Sequence, residues 1–516
     1  MLALSSLPTE LYHAAQVREM DRIAIEDLGI DGFELMQRAA RFTLRMILKR
    51  WPDTERLTIL CGGGNNGGDG YVIASLGHHK GIDIQVRYLS SPDKLSGSAA
   101  KAFALCREDN LDIAPYSSNE VLFSKTGDSP SSRSGGHVIV DAMLGTGLNN
   151  AVRGDYQDAI ATCNEAGLPV MAVDIPSGLS ADQGQPLGLA VQADATATFI
   201  GLKLGLFTGD GRRYAGDIYY DDLKVPESIF GHFSAPANIL KWKEMARHIF
   251  PRKANTHKGN CGHVLIIGGD HGYGGAVIMA AEAAARMGAG LVSVATQAEH
   301  CAPLLARRPE IMVHAVSNSH ALKPMLSKAD VLIIGPGLGQ SPWSEQMLTS
   351  ALQQGLPTLL DADALNLLSE HAEWLPADTS RLILTPHPGE AARLLQLSTR
   401  EVQQDRLHAV QTLQHRYGGS VLLKGSGSLL AHPDGEIHLC ANGNPGMASG
   451  GMGDVLSGLT GGILAQGFEA KRALNIAVTL HACAADLCAM DTGERGMLAS
   501  DLISKARALL NGKVRI

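Results

Sequence analysis

A glycine-rich stretch that ends in an aspartate is the most chemically informative part of the sequence. Residues 442–454 read Asn-Gly-Asn-Pro-Gly-Met-Ala-Ser-Gly-Gly-Met-Gly-Asp, and an apolar, helix-like stretch, residues 455–464, follows directly. Glycines let backbone N–H groups converge on one point, and a helix N-terminus adds partial positive charge there, which is typical of a phosphate site. Asp454 at its edge is placed to take a proton from an attacking hydroxyl. We therefore predict nucleotide-dependent phosphoryl transfer.

This stretch has two structural alternatives. It could be a flexible linker, although linkers are rarely followed directly by an apolar helix. Asp454 could also be the N-cap of a helix that begins near Val455, because carboxylates there accept the first free backbone N–H groups. In the catalytic interpretation the Asp454 carboxylate is needed for proton transfer, whereas in the capping interpretation it is needed only to stabilise the helix.

Other segments of the second half also place polar or flexible residues directly after predicted strands. Lys424 would neutralise phosphate charge, with an ordinary surface lysine as the alternative. His387, between two prolines, is either a helix-capping residue or a ligand contact. Asp361 and Asp363 either orient magnesium or cap the following helix, and capping is slightly favoured. The segments are residues 257–276, 333–339, 361–368, 384–395 and 422–430.

Three loops of the first half directly follow predicted strands: residues 62–70, 141–147 and 174–178. In an open parallel sheet, ligands bind beyond the carboxyl ends of the strands, so these loops should meet on one rim. Asn66, Asp141 and Ser177 offer hard oxygen ligands for a cation. The amides of residues 145–147 suit a phosphate, which leaves the Asp174 carboxylate to face the reacting ring. The alternative is that Asp141 and Asp174 simply cap helices.

Length and composition indicate a globular α/β protein of more than one domain. The chain has 516 residues, of which 45% are hydrophobic and 19% charged, and its 58 glycines suit many strand-to-helix turns. Residues 1–240 carry 20 Lys and Arg against 29 Asp and Glu, whereas residues 241–516 carry 24 against 23. Neither half has the basic excess of a general nucleic-acid binder, so no nucleic-acid partner is expected.

Short β-rich apolar runs alternate with helical patterns in both halves, as in parallel α/β sheets. The proline-containing residues 226–255 mark a junction, so we predict domains at 1–240 and 241–516. The predicted strands are 57–61, 137–140 and 169–173 in the first half and 264–267, 291–295, 331–334, 358–360, 382–384 and 421–423 in the second. We also predict an amphipathic helical opening at 14–48, a solvated loop at 126–136, a hairpin or edge strand at 213–225, and helices at 276–287 and 473–490.

Cysteine usage and hydropathy indicate the cellular compartment of the protein. The eight cysteines include no CxxC pair and are expected to be reduced core residues. The N-terminus lacks a basic-then-apolar signal pattern, and no run of 18 apolar residues is present, so we expect a cytoplasmic protein with no membrane partner. Leu35 and Met36 in the opening helix are expected to be exposed and to form the dimer face of a homo-oligomer.

The first-half loops resemble a known family. The motifs GGGNNGGDG, VDAMLGTG, DIPSGL and ADATATF…LKLGL occur in the order found in the NAD(P)H-hydrate epimerase domain and cover most of residues 10–225. The resemblance implies a Rossmann-like, three-layer fold around a parallel sheet. It makes Asp174 the acid–base carboxylate at the hydrated nicotinamide. It implies that potassium (K+) is bound by Asn66, Asp141 and Ser177. Its implied contacts to the hydrated dinucleotide are Asn65, Asn66, Gly67, Gly68, Asp69, Gly145, Thr146, Gly147, Leu148, Asn149, Asn150 and Ala151.

The second half resembles the NAD(P)H-hydrate dehydratase family of the ribokinase-like superfamily. The resemblance spans about 250–510 and is carried by HKGNCGHVLIIGG, IGPGLG, DADALN, TPHPGEAARL, LLKGSGS and GNPGMASGGMGD. It implies that Asp454 lies beside the C6 hydroxyl of the hydrate as a catalytic residue. The implied hydrate contacts are Gly339, His387, Pro388, Gly389, Glu390 and Arg393. The implied adenine-nucleotide contacts are Lys424, Gly425, Ser426, Gly427, Ser428, Asn444, Gly446, Met447, Ala448, Ser449, Gly450, Gly451 and Gly453.

Together the two resemblances imply a bifunctional metabolite-repair enzyme, an isomerase joined to a lyase. The first half would interconvert the R and S epimers of hydrated NADH and NADPH. The second half would dehydrate the S form with ADP (or ATP) and Mg2+, by phosphorylating the C6 hydroxyl and eliminating phosphate. The alternative is a ribokinase-like kinase of a small molecule, joined to a first domain that only binds a ligand.

Overall fold

The structure, a computed structural model, describes residues 6–118 and 136–514. It divides into two compact units, Met1–Asn238 and Ile239–Ile516. Each unit has its own buried apolar core and is considered separately. Of the loop predicted at 126–136, all but Gly136 lies outside the described residues.

The first unit alternates strands and helices. Its strands are β1 (Glu10–Tyr12), β2 (Arg56–Cys61), β3 (Asp83–Tyr88), β4 (Asp112–Pro115), β5 (His137–Ala142), β6 (Val170–Val173), β7 (Ala195–Phe199), β8 (Leu202–Lys203) and β9 (Asp217–Asp221), and β10 (Ala237–Ile239) begins in this unit and ends at the first residue of the second. Its helices are α1 (Ala14–Arg22), α2 (Gly32–Arg50), α3 (Asn65–His78), α4 (Gly97–Glu108), α5 (Asp155–Glu165) and α6 (Gly211–Ala215). The three strands predicted for this half are all present.

Seven of these strands form one parallel sheet in the order β4-β3-β2-β5-β6-β7-β9. Helices α2, α3 and α4 pack on one face and α5 packs on the other, which gives the predicted three layers. β9 is an edge strand parallel to β7, so the hairpin alternative for residues 213–225 is wrong. Because the strands are parallel, the loops after β2, β5 and β6 leave the sheet at one edge.

The opening segment is two helices rather than one. α1 continues into a π-helical turn, Ile23–Asp27, and α2 starts after Asp31, whose carboxylate accepts a hydrogen bond from Phe33 N (3.1 Å). Leu35 and Met36 are only 4% and 6% exposed and belong to the core beneath α2. The predicted dimer face is therefore wrong, because the apolar stripe of α2 faces the interior of its own unit.

The second unit repeats the alternation with more helices. Its strands are β11 (His263–Ile267), β12 (Leu291–Thr296), β13 (Met312–Ala315), β14 (Val331–Ile334), β15 (Thr358–Leu360), β16 (Leu382–Leu384), β17 (Ser420–Leu423), β18 (Ser428–Ala431) and β19 (Ile437–Cys440). Its helices are α7 (Trp242–Met245), α8 (Gly274–Met287), α9 (Cys301–Arg307), α10 (Ser319–Leu326), α11 (Pro342–Leu352), α12 (Asp363–Glu370), α13 (Pro388–Leu395), α14 (Thr399–Gln404), α15 (Arg406–Tyr417), α16 (Met452–Leu464), α17 (Ala470–Thr492) and α18 (Ala499–Leu510).

Within this unit the strands β13-β12-β11-β14-β15-β16-β17 are parallel, and β18 and β19 follow as antiparallel neighbours. All six strands predicted for this half are present, and both predicted helices lie inside α8 and α17. The loops after β11, β14, β15, β16 and β17 therefore reach one edge of the sheet.

The apolar helix α16 packs closely on α8 because glycines line the contact. A Cβ atom on Gly458 would lie 2.2 Å from the carbonyl oxygen of Ala280, and one on Gly462 would lie 2.6 Å from that of Ala284. Residues 455–464 are all buried, which explains why this helix carries so few polar side chains. This packing fixes the position of the N-terminus of α16.

Among the described residues, α17 is a helix whose length and composition would allow it to cross a membrane. Its mean hydropathy reaches 1.5 over 18 residues, but 83% of that window is buried in the fold, as in the core helix of a globular protein. All eight cysteines are free thiols, and seven of them are buried, in agreement with the sequence.

Two candidate active sites

The three strand-end loops of the first unit line one cavity of about 570 Å³. Its wall includes Asn65, Asn66 and Asp69 of α3, residues 143–148 after β5, and Asp174 after β6. The loops thus meet on one rim, as the sequence predicts. Side chains of α1, α2 and β8, which the sequence did not place there, complete the wall.

Asp174 is held at this wall by a buried lysine. Its backbone has φ 66°, which is uncommon for a residue other than glycine, and its N–H donates to Ala197 O at 2.7 Å. Its carboxylate accepts hydrogen bonds from Lys203 Nζ and, at 3.5 Å, from Thr198 Oγ1. Lys203 is fully buried. Asp174 does not begin a helix, so the capping alternative is wrong, and the side chain remains available at the cavity.

Two further carboxylates, Asp21 of α1 and Asp69 of α3, line the same cavity. Burial raises the pKa of Asp69 well above its usual value, and the negative charges of Asp174 and Asp21 raise it further, while Lys203 opposes them. Burial, together with the charge of Asp174, raises the pKa of Asp21 to about 6. The cavity therefore contains carboxylates whose proton affinities differ, which suits acid–base chemistry.

Asp141 and Ser177 are hydrogen-bonded to each other, whereas both polar side-chain atoms of Asn66 lack a hydrogen-bond partner within the described chain. Asp141 is fully buried in β5 and accepts hydrogen bonds from Ser177 N (2.7 Å), Ser177 Oγ (2.5 Å) and Met143 N (3.3 Å). It therefore caps no helix. The side-chain amide nitrogen and oxygen of Asn66 are buried and have no hydrogen-bond partner within the described chain. Because such groups are costly to leave unpaired, Asn66 suits a bound ligand.

Five residues that the resemblance assigned to hydrate binding do not line this cavity. Gly67 and Gly68 are buried, and a Cβ atom would lie 2.1 Å from Gly62 O or 2.5 Å from Met36 Cε, respectively. These two glycines allow α3 to pack against its neighbours. Asn149, Asn150 and Ala151 are exposed beyond the end of the lining segment at Leu148.

In the second unit, Lys424 and Asp361 form a buried ion pair at the sheet edge. Lys424 Nζ donates to Asp361 Oδ1 at 2.7 Å, and Ser457 Oγ of α16 donates to Asp361 Oδ2 at 2.8 Å. Although burial opposes ionisation, the charge and hydrogen bond of Lys424 keep the pKa of Asp361 below its usual value. The favoured capping role of Asp361 is wrong, because residue 362 is the N-cap of α12 and Asp361 points to Lys424.

Asp454 is the third residue of α16, whose N-cap is Gly451 at φ 90°. The N-cap alternative for Asp454 is therefore wrong. Burial raises the pKa of Asp454 to about 7, the charges of Asp361 and Asp363 contribute to the increase, and Lys424 opposes it. A carboxyl group that changes charge near neutral pH is well matched to proton transfer at that pH.

The glycine-rich loop before α16 is tied to α17 by Asp486. The Asp486 carboxylate accepts hydrogen bonds from Gly443 N and Asn444 Nδ2, each at 3.0 Å. Asn444 Oδ1 in turn accepts one from Gly446 N at 3.0 Å. No side chain caps the N-terminus of α16, so its first N–H groups can bind an anion. The loop and first turn also carry Met447, Ala448, Ser449, Gly450, Gly451 and Gly453.

Lys424 begins a tight turn between β17 and β18. Within it, Ser428 Oγ donates to Gly425 O at 2.9 Å, Ser426 is exposed and Gly427 is buried. The fully buried Arg406 donates from Nη2 to the carbonyl oxygens of residues 423 and 424, both at 3.2 Å. A Cβ atom on Gly453 would lie 3.3 Å from Lys424 Nζ, so this turn and the first turn of α16 are adjacent.

His387 is a helix cap, as one of its two interpretations predicted. Its Nδ1 accepts hydrogen bonds from Gly389 N (3.0 Å) and Glu390 N (3.3 Å) in the first turn of α13, where Pro388 is the first residue. Glu390 is 5% exposed, and its Oε2 accepts from His387 N at 2.8 Å and lies 3.9 Å from Lys424 Nζ. Glu390 therefore points inward, whereas the His387 ring is half-exposed.

The remaining predicted hydrate contacts lie on neighbouring loops. Gly339 N donates to Asp363 Oδ2 at 2.9 Å, so Asp363 fixes the loop after β14 and is not the N-cap of α12. Arg393 donates from Nη1 to Asn366 Oδ1 at 2.8 Å. Both contacts connect α12 to its neighbours at the sheet edge.

Comparison with known proteins agrees with this two-unit arrangement. Residues 32–205 match the family described as YjeF-related protein N-terminus, and residues 264–507 match NAD(P)H-hydrate dehydratase. The bifunctional NAD(P)H-hydrate repair enzyme of Coxiella burnetii is 46% identical over 98% of this chain and 100% of its own length. The enzyme of the same name from Escherichia coli (strain K12) is 41% identical over 99% of this chain and 95% of its own.

The chain belongs to the bifunctional NAD(P)H-hydrate repair enzyme family. A solved structure supports the fold: a ribokinase-like superfamily protein from Enterococcus faecalis V583 is 32% identical, covers 54% of this chain and 97% of its own, and has a TM-score of 0.51. The alternative of a different small-molecule kinase with a ligand-binding first domain is not supported by these relatives.

Several residues that shape the two sites of this NAD(P)H-hydrate repair family member were missed by sequence reasoning. Lys203 lies inside the motif LKLGL that carried the resemblance, so a lysine at a strand end could have been noticed. Asp21, Arg406, Ser457 and Asp486 lie on helices with no local motif. They reach their sites only through the tertiary fold, and no sequence signal marks them.

Proposed function

We propose that this chain repairs hydrated NADH and NADPH, with the epimerase in residues 1–240 and the dehydratase in residues 241–516. The observation that carries the proposal is that each unit presents its own acid–base carboxylate at a sheet edge. Asp174 lies at the cavity of the first unit, and Asp454 lies in the first turn of α16 in the second. Relatives that align with nearly the full length of this chain are named bifunctional NAD(P)H-hydrate repair enzymes.

In the first unit, the hydrated nicotinamide ring would occupy the cavity beside Asp174. The amides of residues 145–147, which line its wall, are suited to the dinucleotide phosphates. Asn65, Asn66 and Asp69 offer polar groups to the rest of the ligand. Asp174 would exchange a proton with the C6 hydroxyl. Its fixed backbone and its contact with Lys203 hold the carboxylate in one place, which favours this exchange.

We further propose that K+ binds at Asn66, Asp141 and Ser177. The unpartnered Asn66 amide and the Asp141 carboxylate are oxygen donors, and the set contains no thiolate or imidazole, which fits K+ rather than zinc. Across residues 6–118 and 136–514, no cluster of three or more His, Cys, Asp or Glu side chains could hold a metal ion. Bound K+ would supply positive charge that orients the loops carrying these residues.

In the second unit, Asp454 would remove the proton from the C6 hydroxyl of the S hydrate. The hydroxyl oxygen would then take the terminal phosphoryl group of the nucleotide. The ring nitrogen lone pair expels phosphate, and loss of a C5 proton restores NADH or NADPH. The N–H groups at the start of α16 and the Lys424 ammonium would stabilise the charge on the transferred phosphoryl group.

The co-substrate is an adenine nucleotide, and we propose ADP (or ATP) with Mg2+. The nucleotide would lie along residues 424–428 and the loop preceding α16. Because Asp361 is engaged with Lys424 and Ser457, we do not assign it to Mg2+, which would accompany the nucleotide phosphates. We also propose a cytoplasmic protein that forms a homo-oligomer, although not through Leu35 and Met36.

The test follows absorbance at 340 nm with purified R and S hydrates of NADH. With nucleotide and Mg2+, the full chain should restore NADH from both epimers. Residues 241–516 alone should act on the S form only. Residues 1–240 alone should interconvert the epimers without nucleotide when K+ is present. A product that keeps a phosphate ester would instead support a kinase, and failure of the folded first fragment to epimerise would reject its assignment.

A further inference from the structure

Four ionisable side chains from four elements meet at the cavity of the first unit: Asp21 of α1, Asp69 of α3, Asp174 after β6 and Lys203 of β8. Lys203 Nζ donates to Asp174, to Thr198 Oγ1 at 3.0 Å and to Phe199 O at 3.0 Å. An ammonium group has three hydrogens, so all of its donors are engaged. Lys203 is therefore a positioning residue for Asp174 rather than the acid of the reaction.

The cavity has more carboxylates than cations to balance them. Neither Asp21 nor Asp69 forms an ion pair with any residue in the described parts of the chain. The other cation at the wall, Arg18, donates from Nη1 to Thr146 O at 2.6 Å. Since neighbouring carboxylates resist ionising together, one of them should retain its proton.

Asp69 is the carboxyl group with the strongest reason to stay protonated. Burial raises its pKa well above the usual value, and the negative charges of Asp174 and Asp21 add to this increase against Lys203. The pKa of Asp21 rises only to about 6, so Asp21 is mainly ionised at neutral pH. Tyr156 is the remaining titratable side chain at the wall.

We propose that Asp69 is the general acid of the first site and works opposite Asp174 as the base. This inference rests on the proposed epimerase function. Asp174 accepts the C6 hydroxyl proton, the C6–N1 bond breaks with its electron pair going to N1, and Asp69 gives its proton to N1. The open aldehyde rotates about its C5–C6 bond. Attack of N1 on the other face then returns the proton to Asp69, and the new C6 oxygen takes the proton from Asp174.

The net change is an isomerisation, so no oxidant, reductant or water is consumed. The proton that Asp69 gives to N1 returns to Asp69, and the proton that Asp174 takes from the C6 hydroxyl returns to the C6 oxygen. The reaction needs an ionised base and a protonated acid at the start, and the burial of Asp69 together with the negative charges of Asp174 and Asp21 favours the protonated form of Asp69.

The first arm of the test is Asp69→Asn in the full-length protein with K+. Asparagine keeps the shape and hydrogen bonding of the side chain but cannot transfer a proton, so kcat for epimerisation should fall about 10²–10⁴-fold with little change in KM. Dehydration of the pure S hydrate by the same preparation should be unchanged, which checks that the protein is intact. Epimerisation within threefold of wild type would overturn the proposal.

The second arm is the pH profile of Asp21→Asn, which does not depend on whether the Asp69 variant folds. In the wild type, kcat/KM for epimerisation should fall at alkaline pH as Asp69 loses its proton. Removing the Asp21 charge should lower the pKa of Asp69 and shift this fall to lower pH. An alkaline limb that stays in place would overturn the role of Asp69. A wild-type protein that does not epimerise at all would instead reject the proposed function.

Discussion

Lys424 donates a 2.7 Å hydrogen bond to the buried carboxylate of Asp361, 63 positions earlier in the chain. This ion pair lies directly against the first turn of α16, at Gly453. The position has two consequences. Lys424 brings positive charge to the place where phosphate is expected, and Asp361 keeps that lysine fixed while it also raises the pKa of Asp454.

Asp361→Asn should destabilise the second unit and shift the pH dependence of dehydration. Losing Asp361 leaves the lysine with only the more distant Glu390 carboxylate, at 3.9 Å, so the loss of unfolding free energy should reach at most the value of about 3–5 kcal/mol that is typical of breaking a buried ion pair. Without the Asp361 charge, the pKa of Asp454 should fall, so activity should persist to lower pH. Urea unfolding and the pH profile of kcat/KM measure the two effects.

Ser457→Ala is the matched control, because it removes only the 2.8 Å hydrogen bond to the same carboxylate. We expect a loss of about 0.5–1.5 kcal/mol and an almost unchanged pH profile. If Asp361→Asn and Ser457→Ala had equal effects on the profile, the electrostatic link between Asp361 and Asp454 would be wrong.

Asp454→Asn should abolish most of the dehydratase activity while leaving nucleotide binding intact. Turnover should fall by about 10²–10⁴-fold, the usual contribution of a positioned acid–base group. In the wild type, the base must be ionised to act. Since burial raises the pKa of Asp454 to about 7, kcat/KM should decline as the pH falls through about 7. Nucleotide affinity by calorimetry and NADH recovery at 340 nm, measured on one preparation, test this prediction.

A purely structural Asp454 would give the opposite result. Asparagine is the same size and would preserve packing, so near-normal turnover together with normal unfolding would reject Asp454 as the base. An acid limb that remains near pH 7 in a partially active variant would assign that limb to another group.

Six strands of the second unit could be predicted because their residues are almost all apolar, with a single Ser or Thr in two of the runs. All six runs lie inside the sheet with at least one parallel neighbour, and every side chain of residues 331–334 is buried. β13 was missed because all four of its residues, Met312–Ala315, are at least partly exposed. β18 and β19 were missed because they return antiparallel over short turns. The residues that begin the strand-end loops could also be predicted, because each of them directly follows one of these apolar runs.

Contacts across the fold could not be predicted in this way. Asp454 looked like a helix cap because helices often begin after an aspartate, but Gly451 takes the left-handed conformation and α16 starts earlier. Asp361 looked like a cap because Lys424, its partner, is remote in sequence. Asp21 lies in a helix that carries none of the motifs, and Lys203 lies in the last motif of the first half, and only the cavity brings them together.

Gly458→Ala should destabilise the second unit although alanine favours helices. Its Cβ atom would lie 2.2 Å from the backbone oxygen of Ala280, which no side-chain rotation can relieve. Overpacking of this kind typically costs about 1–3 kcal/mol. Thermal unfolding without ligand is the measurement. Gly275→Ala in α8 is the control: its Cβ atom would meet nothing within 4 Å, so helix propensity predicts a gain of up to about 1 kcal/mol.

Asn66→Ala should remove the potassium dependence of the first unit with little loss of stability in its absence. The side-chain amide of Asn66 is buried without a partner in the described chain, so its removal breaks no hydrogen bond there. A ligand that binds only the folded state stabilises it in proportion to its concentration and affinity. The wild type should therefore unfold at a higher temperature in KCl than in choline chloride, whereas Asn66→Ala should unfold at the same temperature in both.

Asp141→Asn separates this prediction from a general effect of salt. Asp141 accepts three hydrogen bonds from Ser177 and Met143, so this variant should lose both the potassium response and stability in choline. Epimerisation should become insensitive to K+ in both variants, while dehydration of the S hydrate continues at the wild-type rate. An Asn66→Ala protein that still unfolds at a higher temperature in KCl would place the cation elsewhere, and the oxygen set at Asn66, Asp141 and Ser177 would have to be abandoned.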